Sequence, residues 1–262
     1  MVQDYYSNIE TRHRDIDGFR YHNTHAFKIG DIFSRDYHIY ITDVRVFDMP
    51  ERDVTFQSVA GRTGDLTLDN NRWKNIEIVY SCAIPTDFAT YFSEFKTALC
   101  SLTGYQRIED SIDPDVYRLG VVRGQIDATV KRKGKTGTFD VHVFCKPQKF
   151  LKYGEFAEEL TEATTLYNHL GGVAKPLITV YGTGPGNLYV GDCTVEIKAL
   201  EDQITIDCDL MNAYRQVGDG APENRNSDIY APVFPEFGIG EIPISWDGEI
   251  THIEYTPRWW RF

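Results

Sequence analysis

Short runs of alternating apolar and polar residues dominate this chain, and one stretch departs from that two-residue rhythm. Phe27, Ile29, Ile32 and Phe33, then Ile39 and Ile41, then Val44, Val46 and Phe47, form strand-like groups punctuated by Gly30 and Pro50. Beyond Pro50, Val54, Phe56 and Ser58 share one face of a half-buried strand, and Ile76, Ile78 and Tyr80 alternate as the strand that returns. Between them, residues 61–72 read as a long polar loop marked by glycine, so the pair predicts a long-looped hairpin. From Thr86 to Thr103 the period changes. Phe88, Phe92, Phe95, Leu99 and Leu102 recur at spacings of 4, 3, 4 and 3, an apolar stripe that predicts a helix over residues 87–103. Pro85 and Thr86 suit its start and Gly104 its stop.

Residues 104–119, with Tyr105, Asp110, Pro114, Tyr117 and Arg118, read as a connector between this helix and later strands. Two strands follow, at about 121–131 and 138–146, the second alternating Phe139, Val141, Val143 and Cys145. The turn between them is basic, with Lys131, Arg132, Lys133 and Lys135, and suits either a solvated hairpin end or contact with an acidic partner. Pro147 and Gly154 bracket a boundary, and the acidic stretch 155–165 reads as a short helix or a linker. Strand-like groups then recur at 177–181, 187–190, 194–198, 204–210, 240–246 and 250–255, a cadence that fits a β-sandwich. Residues 218–227 read as a mobile loop. Residues 1–25 show no clear period and read as an N-terminal extension. The chain therefore divides into that extension, a β domain over 26–152 and a second β domain over 153–262.

Composition removes several classes. A hydrophobic content of 42% is ample for real cores, so disorder is excluded as a default. The net charge of −12 argues against a binder of nucleic acid held by phosphate neutralisation. Cys82, Cys100, Cys145, Cys193 and Cys208 are odd in number, scattered and without a C-x-x-C, which points to reduced, mostly buried thiols made in a cytoplasm. The first residues lack an apolar leader core, and no run approaches the roughly 18 apolar residues of a membrane span, so no membrane insertion is expected.

No constellation of catalytic residues emerges. Residues 182–186 (Gly-Thr-Gly-Pro-Gly) resemble a phosphate cradle, but Pro185 interrupts them and Leu188, Tyr189 and Val190 continue as strand, so a hairpin turn is the better reading. Asp207 and Asp209 would sit side by side in solvent, backed by Ile204, Ile206, Cys208 and Leu210, whereas a glycosidase pair faces across a bond. Asp110, Asp113 and Asp115 lack calcium-loop spacing and suit turn capping and ion pairs with Arg107 or Arg118. His13, His22 and His25, with Asp15 or Asp17, have no preset geometry for a metal. Trp246, Trp259 and Trp260 could stack on sugars, though burial in a core or a subunit seam suits a tail that carries Arg258 and Arg261. Neither a cofactor nor enzyme activity is expected.

Seven segments in order resemble the distal tail (Dit) protein family of long-tailed siphophages: 27–40, 50–66, 104–119, 144–147, 175–178, 206–211 and 257–260. The resemblance implies a mainly β fold, with an N-terminal ring-forming β domain carrying one α-helix and then a galectin-like β-sandwich domain. It also implies a homo-hexameric ring at the virion tail tip, assembled in the host bacterial cytoplasm. Its partners would be the tail tube, tape-measure, tail-associated hub and receptor-binding proteins, and genomic DNA would pass through without specific binding. The family begins only a few residues before the Phe27 segment, so residues 1–25 are an addition, and no room remains for an inserted carbohydrate-binding module. A ring needs head-to-tail contacts. The candidates for these are the 61–72 projection, with Gly61, Arg62, Gly64, Asp65 and Arg72, and the basic tip, with Lys131, Arg132, Lys133 and Lys135. Tyr105, Asp110, Pro114, Tyr117, Arg118, Arg258, Trp259 and Trp260 are the structural motif residues. The competing reading is a carbohydrate-binding adhesin, for which Tyr181, Tyr189 and Trp246 are the scattered candidates.

Overall fold

In the computed structural model, which describes residues 25–45, 49–218 and 220–262, alternation on paired strands is the main source of burial. The expected N-terminal extension, apart from residue 25, lies outside the described residues, as do Val46 and Phe47. The chain forms two units, the first ending at Lys149 and including Phe262, the second spanning Phe150–Arg261.

The first unit is built on an antiparallel sheet. Its strands run in the order Ile32–Phe33, Phe27–Ile29, Gln106–Asp110, Val116–Val122, Thr136–Cys145, Ile76–Ile84 and Tyr40–Arg45. The central register sets Phe139 opposite Cys82, Val141 opposite Tyr80 and Val143 opposite Ile78, so all six side chains share the buried face. A slip of one residue would turn this whole set outward. Against that face lies the helix Phe88–Cys100, burying Phe88, Phe92, Phe95 and Leu99. Ring contacts knit the layers: Phe92 lies 4.8 Å from Phe139 and Phe27 stacks on Tyr80 at 5.0 Å. Gly137 is required here, since a Cβ would sit 2.6 Å from the Phe88 ring. The helix stops three residues before the expected end, where the Ser101 and Leu102 N–H groups turn back to the carbonyls of Ala98 and Leu99.

Residues 104–119 are not a connector. They form the hairpin Gln106–Asp110 and Val116–Val122 inside the sheet, and they bury a charge network. Asp110 Oδ1 accepts the N–H groups of Ile112 at 2.9 Å and Asp113 at 3.0 Å, while Oδ2 accepts the Tyr80 hydroxyl at 2.9 Å and lies 3.7 Å from Arg118 Nη1. Arg118 is 1% exposed and Asp110 2%, so each charge depends on the other for its burial. Burial, and then the adjacent Asp110 charge, push the Tyr80 hydroxyl well above its ordinary pKa, which keeps it a donor. Two further expectations fail nearby. The strand expected over 121–131 is two strands, Val116–Val122 and Ala128–Lys131, with Gly124 left-handed between them. The expected loop 61–72 is mostly strand: Leu66–Trp73 pairs with Arg52–Gln57 in a separate two-stranded hairpin, and Ile76–Ile84 belongs to the main sheet instead.

The second unit is a sandwich of two antiparallel sheets. One has the order Glu158–Leu160, Ile250–Thr256, Leu177–Thr183, Glu201–Asp207, Asn212–Arg215, Glu223–Asn224. The other runs Thr164–Asn168, Gly240–Trp246, Gly186–Val190, Cys193–Ile197, Ile229–Tyr230. Their buried sides carry Ile178, Val180, Ile204, Ile206 and Ile253 from the first and Leu188, Val190, Val195, Ile197 and Ile244 from the second. The stretch 155–165 holds strand rather than a helix or linker, and 218–227 contains the strand Glu223–Asn224. Residues 182–186 are not a hairpin turn either. The strands on each side belong to different sheets, so they form a corner, and a Cβ on Gly186 would stand 2.6 Å from the Asp247 carbonyl.

Asp207 also departs from expectation. It is buried, and its carboxylate takes both Arg258 Nη1 at 2.8 Å and Nη2 at 2.9 Å, while Oδ1 accepts the N–H groups of Asp209 and Leu210. Leu210, expected to back the aspartates, is 70% exposed in the turn this arrangement fixes. Trp259 follows Arg258 into the core, 5.4 Å from Phe237, against Gly154, whose Cβ would lie 2.6 Å from the Trp259 nitrogen. Trp260 donates Nε1 to the Val173 carbonyl at 2.9 Å.

Two outcomes follow from these networks. Replacing Arg118 with Met leaves Asp110 buried and uncompensated, and equilibrium urea unfolding should register a loss of about 3–5 kcal/mol. For Asp207, burial pushes the carboxyl upward, but hydrogen bonds from Arg258 and the Leu210 N–H outweigh it and hold the pKa below the ordinary value. The contribution is therefore complete above the unfolded pKa of roughly 3.9 and is lost as pH falls through the lower folded value. In acid titrations followed by tryptophan fluorescence, Asp207→Asn should be less stable at neutral pH and lose less stability on acidification than the parent chain.

Candidate assembly surfaces

The hairpin Arg52–Gln57 and Leu66–Trp73 differs from every other strand pair in the first unit, because neither of its faces is buried. Its register puts Thr55 opposite Leu68 and Gln57 opposite Leu66 on one face, and Phe56 opposite Thr67 on the other. Phe56 is 67% exposed and Leu68 54%. A two-stranded ribbon with no packed face is marginal in water. At its base, ion pairs brace it: Arg52 Nε to Asp69 at 2.7 Å, Arg72 Nε to Asp53 at 2.5 Å and Lys74 to Glu51 at 2.7 Å. The hydrogen bond from Arg72 holds the Asp53 carboxyl below its usual range, and that from Arg52 does the same for Asp69. These pairs are solvated and screened by salt, so they orient the ribbon more than they stabilise it. The apolar outer half has no covering layer among the described residues of the unit.

Of the candidate residues, Gly61, Arg62, Gly64 and Asp65 lie in the exposed connection at the ribbon's end, with Gly61 and Gly64 both left-handed. Arg72 stands apart from them, in the strand at the braced base. The sequence reading missed the Leu66–Trp73 strand, although Leu66 and Leu68 alternating with Thr67 and Asp69 carried the two-residue period that marks one.

The basic tip is the second projection. Strands Ala128–Lys131 and Thr136–Cys145 pair with Lys131 opposite Thr136, and Arg132, Lys133 and Gly134 close the turn with φ of 51°, 54° and 91°. Lys131, Arg132, Lys133 and Lys135 are all exposed. The Phe88 N–H donates to the Lys135 carbonyl at 3.3 Å, tying the tip to the start of the helix. The motif residues are scaffold by contrast. Arg107 lies 3.9 Å over the Tyr117 ring, Asn75 donates to the Tyr105 hydroxyl at 3.0 Å, Asp113 turns back to Val116 across Pro114, and Asp110, Arg118, Arg258, Trp259 and Trp260 form the contacts described above.

Among the described residues, no group of three or more His, Cys, Asp or Glu side chains is placed to hold a metal. Burial pushes the Cys145 and Cys208 thiols up to about 12, so both are neutral near pH 7. Cys82, Cys145 and Cys208 are buried, in line with the expectation of mostly buried thiols, while Cys193 is partly exposed and Cys100 exposed. No described helix is long and apolar enough to cross a membrane.

No protein-family model matches the sequence, and no functionally described protein matches it at the sequence level. Solved structures do match in shape. The chain is similar to the SPP1 Dit protein, described as a paradigm of the hub adsorption apparatus in phages that infect Gram-positive bacteria. The TM-score is 0.69 at 11% identity, covering 89% of this chain and 98% of that one. A chain of the phage p2 baseplate, in its activated conformation with Sr, matches with a TM-score of 0.46 at 10% identity over 88% of this chain and 98% of that one. The chain therefore has a Dit-like, mainly β fold.

Because Phe56 and Leu68 lie exposed and outside the core among the described residues, Phe56→Ser and Leu68→Ser should each change the urea midpoint of the dilute, unassembled chain by no more than about 0.5 kcal/mol equivalent. A larger loss would mean that the ribbon belongs to the core.

Proposed function

We propose that this chain is a structural, non-catalytic component of a phage or prophage-derived tail tip. Six copies close into a ring that joins the tail tube to the hub, tape-measure and receptor-binding proteins, and the genome passes through its opening. The observation that carries this reading is the Dit-like fold extending over nearly the whole chain. The two projections of the first unit support it, since a closed ring is built from head-to-tail contacts in which one subunit's protrusion meets a different surface of the next. An exposed apolar ribbon costs a solitary chain solubility and becomes favourable once a neighbour covers it.

Charge fits the same role. At −12 per copy, an acidic ring repels phosphates, so DNA slides without the counterion release that would hold it. The second unit, read as galectin-like, forms the platform for other tail-tip proteins. The adhesin reading has less support, because two of its three candidate aromatics are already engaged. Tyr181 stacks on His252 at 4.4 Å, and the Tyr189 hydroxyl donates to Asp247 at 2.8 Å.

Light scattering of the purified full chain, with negative-stain imaging, should give a mass six times that of the chain and a ring with a central opening. Phe56→Asp with Leu68→Asp should shift that mass towards the single chain. A concentration-independent monomer that binds a glycan array would overturn the reading in favour of the adhesin.

A further inference from the structure

The second unit carries an apolar groove whose charge complements a surface of the first. A cavity of about 470 Å³ lies between the turn at residues 190–193 and the segment 233–242. Val190 and Ile242, both buried, contribute apolar lining, and Phe234 and the 68% exposed Val233 add to it. The Cys193 thiol donates to the Val233 carbonyl at 2.9 Å, fixing the segment against the turn. Asp192, Glu236 and Glu241 edge the groove and are exposed. No Lys or Arg lines it, and none of these three carboxylates pairs with a cation among the described residues.

The basic tip has the opposite character. Lys131, Arg132, Lys133 and Lys135 project together with Val130, an apolar side chain 54% exposed, and none of the four cations forms a salt bridge among the described residues. Arg132 and Lys133 are held left-handed although neither is glycine, a conformation that persists only where neighbouring structure enforces it. Here the strand ladder and the Phe88 tie enforce it. The tip therefore meets a partner with its shape already set and loses little entropy on docking. Lysine and arginine stems cover apolar walls while their charged ends reach carboxylates, which is the chemistry this groove presents.

We propose that the basic tip of one copy seats in the acidic-edged groove of another copy, with Val130 and the lysine stems on the apolar walls and the charged ends on Asp192, Glu236 and Glu241. This rests on the self-assembly proposed above and names the receiving surface for one of its contacts. The test uses the full chain with the photo-crosslinking residue p-benzoylphenylalanine at exposed position 130. Irradiation of the assembled protein should join copies, with the cross-link mapped by mass spectrometry to residues 190–193 or 233–242. Glu236→Lys with Glu241→Lys should abolish that cross-link and weaken assembly at least tenfold, and combining it with Lys131→Glu, Arg132→Glu and Lys133→Glu should restore both. An assembly that persists while the cross-link maps elsewhere, or while charge reversal has no effect, overturns the groove and leaves the ring standing. A chain that is monomeric at every concentration overturns both.

Discussion

Each unit is organised around a buried carboxylate that performs two tasks at once. Asp110 and Asp207 both end a strand, both accept the N–H groups two and three residues onward with Oδ1, and both pair with an arginine from a later strand or its continuation. Neither task would hold the group in place by itself. A capped but unpaired carboxylate in a dry core costs several kcal/mol, whereas one that is paired and capped fixes a turn and a strand register together. The first clamp also takes the Tyr80 hydroxyl, so the hairpin of the sheet, its turn and the central strand Ile76–Ile84 are set by one atom group. The second ties the terminal Arg258-Trp259 segment to the end of Glu201–Asp207 and places Trp259 on Phe237.

That rigidity gives the exposed elements their meaning. In the first unit the register-locked sheet and the helix satisfy one another's apolar faces, and the ribbon Arg52–Trp73 is left with apolar side chains on both of its faces and ion pairs only at its base. A core-building account has no use for Phe56 or Leu68 in these positions. The proposed contact between copies does. The left-handed Arg132 and Lys133 follow the same logic, since backbone strain at an exposed cationic turn is retained where a defined shape is presented.

What the sequence made legible follows what periodicity can report. The helix was readable because Phe88, Phe92, Phe95 and Leu99 all meet one face, and the strand Thr136–Cys145 because its alternation is complete. The Dit-like fold was readable from ordered motifs, and the structural likeness at 11% identity bears it out. In residues 104–119 the turn capping by Asp110 and its ion pair with Arg118 were legible, but the segment was misread as a connector because nothing local shows that the hairpin and its charges are buried in the sheet against Tyr80. Asp207 was placed in solvent for the same reason, its partner lying 51 residues away. The corner at Gly182 to Gly186 has the composition of a hairpin turn, and only the sheet assignment of the flanking strands separates the two. In Leu66–Trp73 the alternation existed, but asparagine, aspartate and glycine nearby outweighed it in a local reading.

The ribbon's exposed apolar faces are proposed to be made for a neighbouring copy. Hydrogen–deuterium exchange of the full chain, compared between a dilute and a concentrated solution, addresses it directly. Amides of Arg52–Gln57 and Leu66–Trp73 should exchange rapidly in the dilute sample and slow markedly on assembly, while the Ile76–Ile84 strand stays protected in both. Equally fast exchange of the ribbon in an assembled sample would contradict the account.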